Sequence, residues 1–262
     1  MCDSDVSLIT ATYQSDCFIY SRNSIDTQTV PVHNVVVDGG SGPSYTDAIQ
    51  HLLTPRDSFL SEPDDGIYDA INKGISLARG SIVGILHSDD RLNDSKVIGN
   101  VINAFHQTGA DVVYGDLVYV NDRDRVVRFW RSKPFNPKSL VRGWMPPHPT
   151  VFVRREVFQR IGVYDTSYRI AGDYEFLLRL FKTTGLRFFY LPIVITRMRL
   201  GGVSNRDLKH IVLKMREDAH AMRAHGLNPW ITLPAKNIRK LIQFVRSQRV
   251  TQSSRQDNVS ES

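Results

Sequence analysis

The chain has 262 residues, 41% of them hydrophobic and 23% charged, which suits a water-soluble globular protein long enough to bury a full core. No apolar run approaches the ~20 residues a membrane-spanning helix needs, and the acidic start Met1-Cys2-Asp3-Ser4-Asp5 is unlike a secretory signal, so the expected compartment is the cytoplasm; Cys2 and Cys17 are too few for a disulfide framework or a thiolate metal site. The net charge of +6 is uneven, because six of the 33 basic residues (Lys236, Arg239, Lys240, Arg246, Arg249, Arg255) fall in an acid-free stretch and leave a neutral body of 27 basic against 27 acidic residues.

Val6-Ser7-Leu8-Ile9-Thr10-Ala11-Thr12 reads as a first strand ending in small polar residues. Val35-Val36-Val37-Asp38-Gly39-Gly40-Ser41 repeats the pattern, a strand buried on both faces followed by an acid and glycines. Ligands of doubly wound α/β folds sit beyond the carboxyl ends of parallel strands, which assigns Thr10, Thr12 and Asp38 to one crevice. There Asp38 either accepts hydrogen bonds from a base or ribose, or simply opens the turn at Gly39-Gly40. No GxxxxGK[ST] loop exists and no GxGxxG follows the first strand, which argues against P-loop and Rossmann dehydrogenase chemistry.

Ile67, Ile71, Ile75 and Ala78 recur at helical spacing, with Asp64 or Asp65 as N-cap and Gly80 as stop. The opposite face carries Asp69, Asn72, Lys73 and Ser76; Lys73 either pairs with Asp69 or reaches a diphosphate. The run Ile82-Val83-Gly84-Ile85-Leu86-His87 then ends abruptly in Ser88-Asp89-Asp90, a buried strand delivering two carboxylates to a sheet edge. Adjacent carboxylates repel each other, an arrangement that suits a hard divalent cation with an anionic ligand; the alternative is that they cap a turn or the next helix.

Val97, Val101, Ile102 and Phe105 mark a helix, and Asp111 to Asp116 a strand and turn. Val118-Tyr119-Val120 and Val126 to Trp130 flank Asn121-Asp122-Arg123-Asp124 as a hairpin. The prolines of Trp144-Met145-Pro146-Pro147-His148-Pro149-Thr150 disfavour helix there. Tyr174, Leu177, Leu178 and Phe181 form a helical stripe that puts Asp173 at or near an N-cap, where it stays ionised and able to take a proton, or serves as a cap only. Glu175 is the alternative base, though it points along the helix. A strand from Phe188 to Thr196 leads to Arg197-Met198-Arg199-Leu200-Gly201-Gly202-Val203-Ser204, a mobile loop closing on phosphate or a solvated basic loop. In the tail, Ile238, Leu241, Ile242 and Val245 alternate with Lys236, Arg239, Lys240 and Arg246 over Ala235 to Val250; this amphipathic pattern fits an anionic membrane face or packing on the body. Nucleic acid is not expected as a partner, since the tail lacks aromatic platforms.

Together Thr10-Ala11-Thr12-Tyr13, Val37-Asp38-Gly39-Gly40-Ser41, Gly66-Ile67-Tyr68-Asp69-Ala70-Ile71-Asn72-Lys73-Gly74 and Leu86-His87-Ser88-Asp89-Asp90 resemble, in order and spacing, the motifs of family 2 glycosyltransferases with the GT-A fold. The resemblance covers roughly residues 5 to 205. It implies an α/β fold with a mixed, mostly parallel sheet flanked by helices, here followed by a basic amphipathic C-terminal helix. It further implies a catalytic domain over 1–205 (nucleotide half about 1–115, acceptor half about 116–205); by periodicity and composition a helical extension over 206–250 and a disordered end over 251–262 are expected to follow. The implied reaction moves a sugar, with inversion, from a nucleotide-sugar donor to a saccharide or lipid-linked saccharide, as in cell-surface polysaccharide synthesis, on the inner membrane face or in the cytoplasm. Asp89 and Asp90 would hold Mn²⁺ or Mg²⁺, Asp173 would be the base, and Thr10, Thr12, Asp38, Asp69, Lys73, Asp89, His148 and Arg199 would line the donor site. The chain departs from the family pattern at His87, where Asp or Asn is usual, and at Gly172, which replaces a Glu. The alternative is a non-catalytic nucleotide-sugar-binding or scaffold protein with the same fold.

Overall fold

The computed structural model describes residues 4–199 and 208–239. β1 (Val6–Thr12) leads through α1 (Phe18–Asp26) to β2 (His33–Asp38), and α2 (Pro43–Gln50) leads to β3 (Ser58–Ser61). α3 (Ile67–Leu77) feeds β4 (Ile82–Ile85), the two-residue β5 (Arg91–Leu92) and α4 (Val97–Thr108). There follow β6 (Val112–Val120), β7 (Val126–Trp130), α5 (Lys138–Val141), β8 (Val151–Arg154), α6 (Arg155–Ile161), α7 (Gly172–Lys182), β9 (Phe188–Arg199) and α8 (Leu208–Ala224). Residues 229–239 are helical again.

Nine strands of the described residues form one mixed sheet in the order β3-β2-β1-β4-β8-β6-β9-β5, with β7 paired to β6. β3, β2, β1 and β4 run parallel. β8 is antiparallel to both β4 and β6, so those two point the same way. β1 and β2 are buried along their whole length, and their polar members pair across the two strands, Ser7 with His33 and Asn34 with Thr10. α3 and α7 pack on one face over Ile9, Val37, Ile71, Tyr114 and Leu178, and α4 packs on the other over Leu8, Leu86, Val101, Phe105 and Phe152.

The carboxyl edge of the sheet collects the chain segments of interest. Thr12 is in register with Asp38, and the Leu86 amide bonds the Ile9 carbonyl just before His87. Because β8 runs the other way, the segment before it, a 3-10 turn at His148–Thr150, also faces that edge. α7 begins there too, since the Tyr68 hydroxyl on the first turn of α3 donates to the Ile170 carbonyl at 2.8 Å.

Several local expectations are corrected. α3 starts on Gly66, whose φ of 115° places it in glycine's own region of backbone space, and Asp64 accepts the Gly66 amide from just outside instead of capping the helix. Ile67 lies 42% exposed, leaving Tyr68, Ile71 and Ile75 as the core face. The expected strand, turn and second strand over 111–120 are one strand, β6. β9 runs on to Arg199, so Arg197 and Arg199 are strand residues, tied down by β9 pairing with β6 and β5, and not part of a loop. Gly201 to Ser204 lie outside the described residues. In the tail, described as far as Arg239, Lys236 turns inward to Asp218 at 2.8 Å and Arg239 donates to the Arg142 carbonyl, whereas Trp230 and Ile238 face out. The expected continuation over 240–250 and the end at 251–262 also fall outside the described residues.

Candidate active site

The turn after β4 closes with the Asp90 amide donating to the His87 carbonyl at 3.0 Å. Ser88 is tied to Ser15 at 3.1 Å, and the immediate start of β5, paired to β9, holds the far side. This geometry drives Asp90 inward: it is 1% exposed, and among the described residues neither carboxylate oxygen has a hydrogen-bond partner. Burial and then the neighbouring Asp89 push its carboxyl well above the usual range, offset only in part by the Arg199 backbone, which stands near it but outside hydrogen-bond geometry. A buried carboxylate without a partner is rare in a folded protein and calls for an occupant.

His87 stands against His148, ring centres 6.1 Å apart. The His148 Nε2 lies 2.7 Å from the Tyr164 hydroxyl. Burial holds both imidazoles neutral, lowering His148 to about 4, while Asp173 pulls each of them the other way and Asp89 also acts on His87. His87 therefore lies within the fields of both Asp89 and Asp173. Tyr164 is fixed from behind by Asn72, whose amide donates to its carbonyl and accepts from its N–H, and it stacks on Tyr68 and Phe176.

Asp173 is half-buried in the first turn of α7 and accepts its own neighbour's amide, Tyr174 N–H, at 2.7 Å. Burial works to raise its pKa, but Lys214, His148, Lys236 and that amide outweigh it and hold the carboxyl below the usual range. A carboxyl held this low is ionised near neutral pH, the state a general base requires. The preceding Gly172 has a steric cause: a Cβ there would lie 2.7 Å from the Tyr68 ring, so the family's Glu has no room.

The other residues assigned to the donor crevice are engaged by protein partners. Thr10 is fully buried within the sheet and accepts from Asn34 at 3.0 Å. Asp38 is equally buried, its oxygens taken by the Gly40 and Ser41 amides and the Ser41 and Ser61 hydroxyls, so it organises its own turn. Thr12 meets the Tyr45 hydroxyl at 2.5 Å. Lys73 is occupied by Glu62 and Asp69 at 2.9 and 3.0 Å, the surface pairing. Arg199 pairs with Asp122 at 3.0 Å and lies over Tyr20. Asp89, Asp90, His148 and Asp173 do converge, with His87. Sequence reasoning missed Tyr164 and the α8 residues Lys214 and Glu217, because a lone loop tyrosine and scattered charges on a helix carry no motif. Among the described residues no three His, Cys, Asp or Glu side chains form a closed metal cage.

The model of the family described as glycosyl transferase family 2 matches residues 8–173. A PGL/p-HBAD biosynthesis glycosyltransferase of Mycobacterium bovis is 32% identical over 187 residues, covering 69% of this chain and 70% of the relative. An uncharacterized glycosyltransferase of Mycobacterium tuberculosis is 33% identical over 156 residues, 56% of each. Among solved structures, S. aureus TarS 1–349 in complex with UDP-GlcNAc superposes with a TM-score of 0.64 at 17% identity, over 88% of this chain and 70% of that one. The chain spans 41% of the longer TarS chain. The Pyrobaculum calidifontis mannosyltransferase PcManGT, in complex with GDP-Man and Mn²⁺, superposes with a TM-score of 0.60 at 17% identity, over 98% and 81%. At such identities the likeness is one of fold, the expected GT-A fold. With a family model running from β1 to Asp173 and a relative at 32% identity over two thirds of its length, the chain belongs to glycosyl transferase family 2.

Proposed function

We propose that this glycosyltransferase transfers a sugar with inversion from a nucleotide-sugar donor to a hydroxyl of a saccharide or lipid-linked saccharide, aided by a divalent cation. The reading rests above all on Asp90, an ion-ready carboxylate sealed beside Asp89 without a partner of its own. Two carboxylates suit Mn²⁺ or Mg²⁺ that also binds substrate phosphates, since such ions often take only one or two protein acids. When bound, the cation would neutralise the departing diphosphate. His87, held neutral against His148, is a nitrogen donor better suited to Mn²⁺ than to Mg²⁺.

Asp173 takes the proton from the acceptor hydroxyl as that oxygen attacks the sugar carbon, on the face opposite the leaving diphosphate; a single displacement inverts the centre. Its neighbours serve this role: Lys214 and Lys236 keep it ionised, and Tyr164 with His148 walls the cleft. We assign the catalytic unit to about 1–205, its donor half to about 1–115, and the helical extension to 206–250. Support for the donor class comes from the solved neighbours, one in complex with UDP-GlcNAc and one with GDP-Man and Mn²⁺. An acceptor of that class would fit a role in cell-surface polysaccharide synthesis. No described helix is long and apolar enough to cross a membrane. Contact with a membrane surface would run through the exposed Trp230, Ile231 and Ile238, because Lys236 and Arg239 face the body.

The test is release of nucleoside diphosphate from a panel of UDP- and GDP-sugars, with and without Mn²⁺. The wild type should turn over at least one donor in a Mn²⁺-dependent way; a non-catalytic binding protein or scaffold would release nothing. Asp173→Asn should lower turnover ~10²–10⁴-fold while UDP or GDP binding stays within twofold. Full activity in that variant would place the base elsewhere.

A further inference from the structure

We propose that Glu217, on α8 beyond the segment matched by the family model, is a positioning residue that holds Asp173 in its working orientation. Its carboxylate grips three consecutive backbone amides directly ahead of α7. Oε1 accepts the Arg169 N–H at 3.0 Å, and Oε2 accepts the Ile170 and Ala171 N–H groups at 2.9 and 2.8 Å. A carboxylate spanning successive amides makes charge-assisted hydrogen bonds, and here it also lies at the positive end of a helix.

The same short segment is held from the opposite side by α3. The Tyr68 hydroxyl donates to the Ile170 carbonyl at 2.8 Å, and the Tyr68 ring packs against Gly172. Residues 169–172 are therefore clamped between two helices distant in sequence, and the next residue is Asp173. One turn further along α8, His220 Nδ1 meets the Tyr168 hydroxyl at 2.8 Å and extends the grip by one residue. Glu217 is not placed to touch the reacting atoms; it acts by orienting the first turn of α7. α8 thus completes the active site instead of trailing from it.

The inference rests on the reading of Asp173 as the base, and the experiment separates the two. Turnover is measured on the nucleotide sugar that the wild type hydrolyses or transfers, and binding by titration of UDP and GDP with Mn²⁺. Glu217→Gln removes the charge and turns an N–H donor toward amides that need acceptors. It should lower kcat 10- to 100-fold, the scale expected when a base is misplaced by about 1 Å, with donor KM and nucleoside diphosphate binding within twofold. In the Asp173→Asn background the same change should have no further effect on kcat, because an orienting residue acts only through what it orients. A structural role would instead raise KM, weaken nucleoside diphosphate binding and multiply the Asp173→Asn defect; any of these, or full activity in Glu217→Gln, overturns the inference. If Glu217→Gln does not fold, Glu217→Asp keeps the charge but retracts it by one carbon. That variant should show a smaller kcat loss with the same unchanged KM, and wild-type kcat in it overturns the inference. An Asp173→Asn variant with full activity refutes the base assignment itself; an inactive one beside a fully active Glu217→Gln refutes only the role of Glu217.

Discussion

Replacing Asp90 with Asn should make the metal-free protein more stable and the loaded protein less so. Asp90 is 1% exposed with neither oxygen hydrogen-bonded among the described residues, and burial followed by the Asp89 charge raises its pKa well above the ordinary value. An unpaired buried charge costs several kcal/mol in real proteins, against about 1–3 kcal/mol for a neutral polar group left unsatisfied. Asn should therefore recover about 1–3 kcal/mol near neutral pH. At ~2–4 °C per kcal/mol for a domain of this size, Tm in EDTA should rise by roughly 2–12 °C.

The sign of the pH dependence follows from linkage. A raised folded-state pKa contributes stability that is present below the unfolded value and lost as pH rises through the folded one. In EDTA the contribution of Asp90 should fall from acid toward neutral pH, so the stability of Asp90→Asn relative to wild type should rise over that range. With Mn²⁺ and UDP or GDP present at about a hundred times Kd, wild type should gain about 2.7 kcal/mol from binding, a gain the variant loses. Thermal melts of both proteins, in EDTA and in Mn²⁺ with nucleoside diphosphate, give the four curves needed. An unchanged or lower Tm for Asp90→Asn in EDTA, together with an undiminished Mn²⁺-dependent shift, would refute the reasoning.

Gly172→Ala puts a Cβ 2.7 Å from the Tyr68 ring; urea unfolding should report a loss of about 1–3 kcal/mol and turnover should fall with it, whereas wild-type values in both would mean the ring moves aside freely. His148, lowered to about 4 from 6.5, is protonated first in the unfolded chain. Its contribution to stability should thus drop by about 3 kcal/mol as pH falls from 6.5 toward 4, and an identical pH dependence of the urea midpoints for wild type and His148→Gln would contradict this. Arg22 is buried between Asp26 and Asp57 at 2.5 and 2.9 Å; Arg22→Ala removes the counter-charge of Asp57, which keeps its bonds from Thr54 and Asn34, and should cost about 1.5–3 kcal/mol by chemical denaturation, with a loss under about 0.5 kcal/mol telling against it.

Much of the fold could be read from the chain because its signals are local. The strand-length stretches rich in apolar residues at Val6 to Thr12 and Val35 to Val37 point to buried strands, and the 3.6-residue stripes of α3, α4 and α7 require a core on one side. The abrupt change from apolar strand to paired acids at Asp89 and Asp90 likewise marks a sheet edge without knowledge of any neighbour. What the chain left open was where a polar side chain finds its partner. Asp38 and Lys73 are spent on Ser41, Ser61, Glu62 and Asp69, and the basic tail residues Lys236 and Arg239 are turned to the body.

By itself the sequence determined the α/β order of elements, the carboxylate pair and an acid at the start of a late helix, since spacing and polarity suffice for each. Only the tertiary structure decided that Asp90 is left without a partner, that Tyr68 forbids a side chain at position 172, and that α8 reaches back to grip the segment before Asp173. The reason is physical. Periodicity reports which face a residue turns to the core, but hydrogen bonds and close contacts form between atoms brought together from positions far apart in the chain, and no local pattern encodes which distant atom arrives.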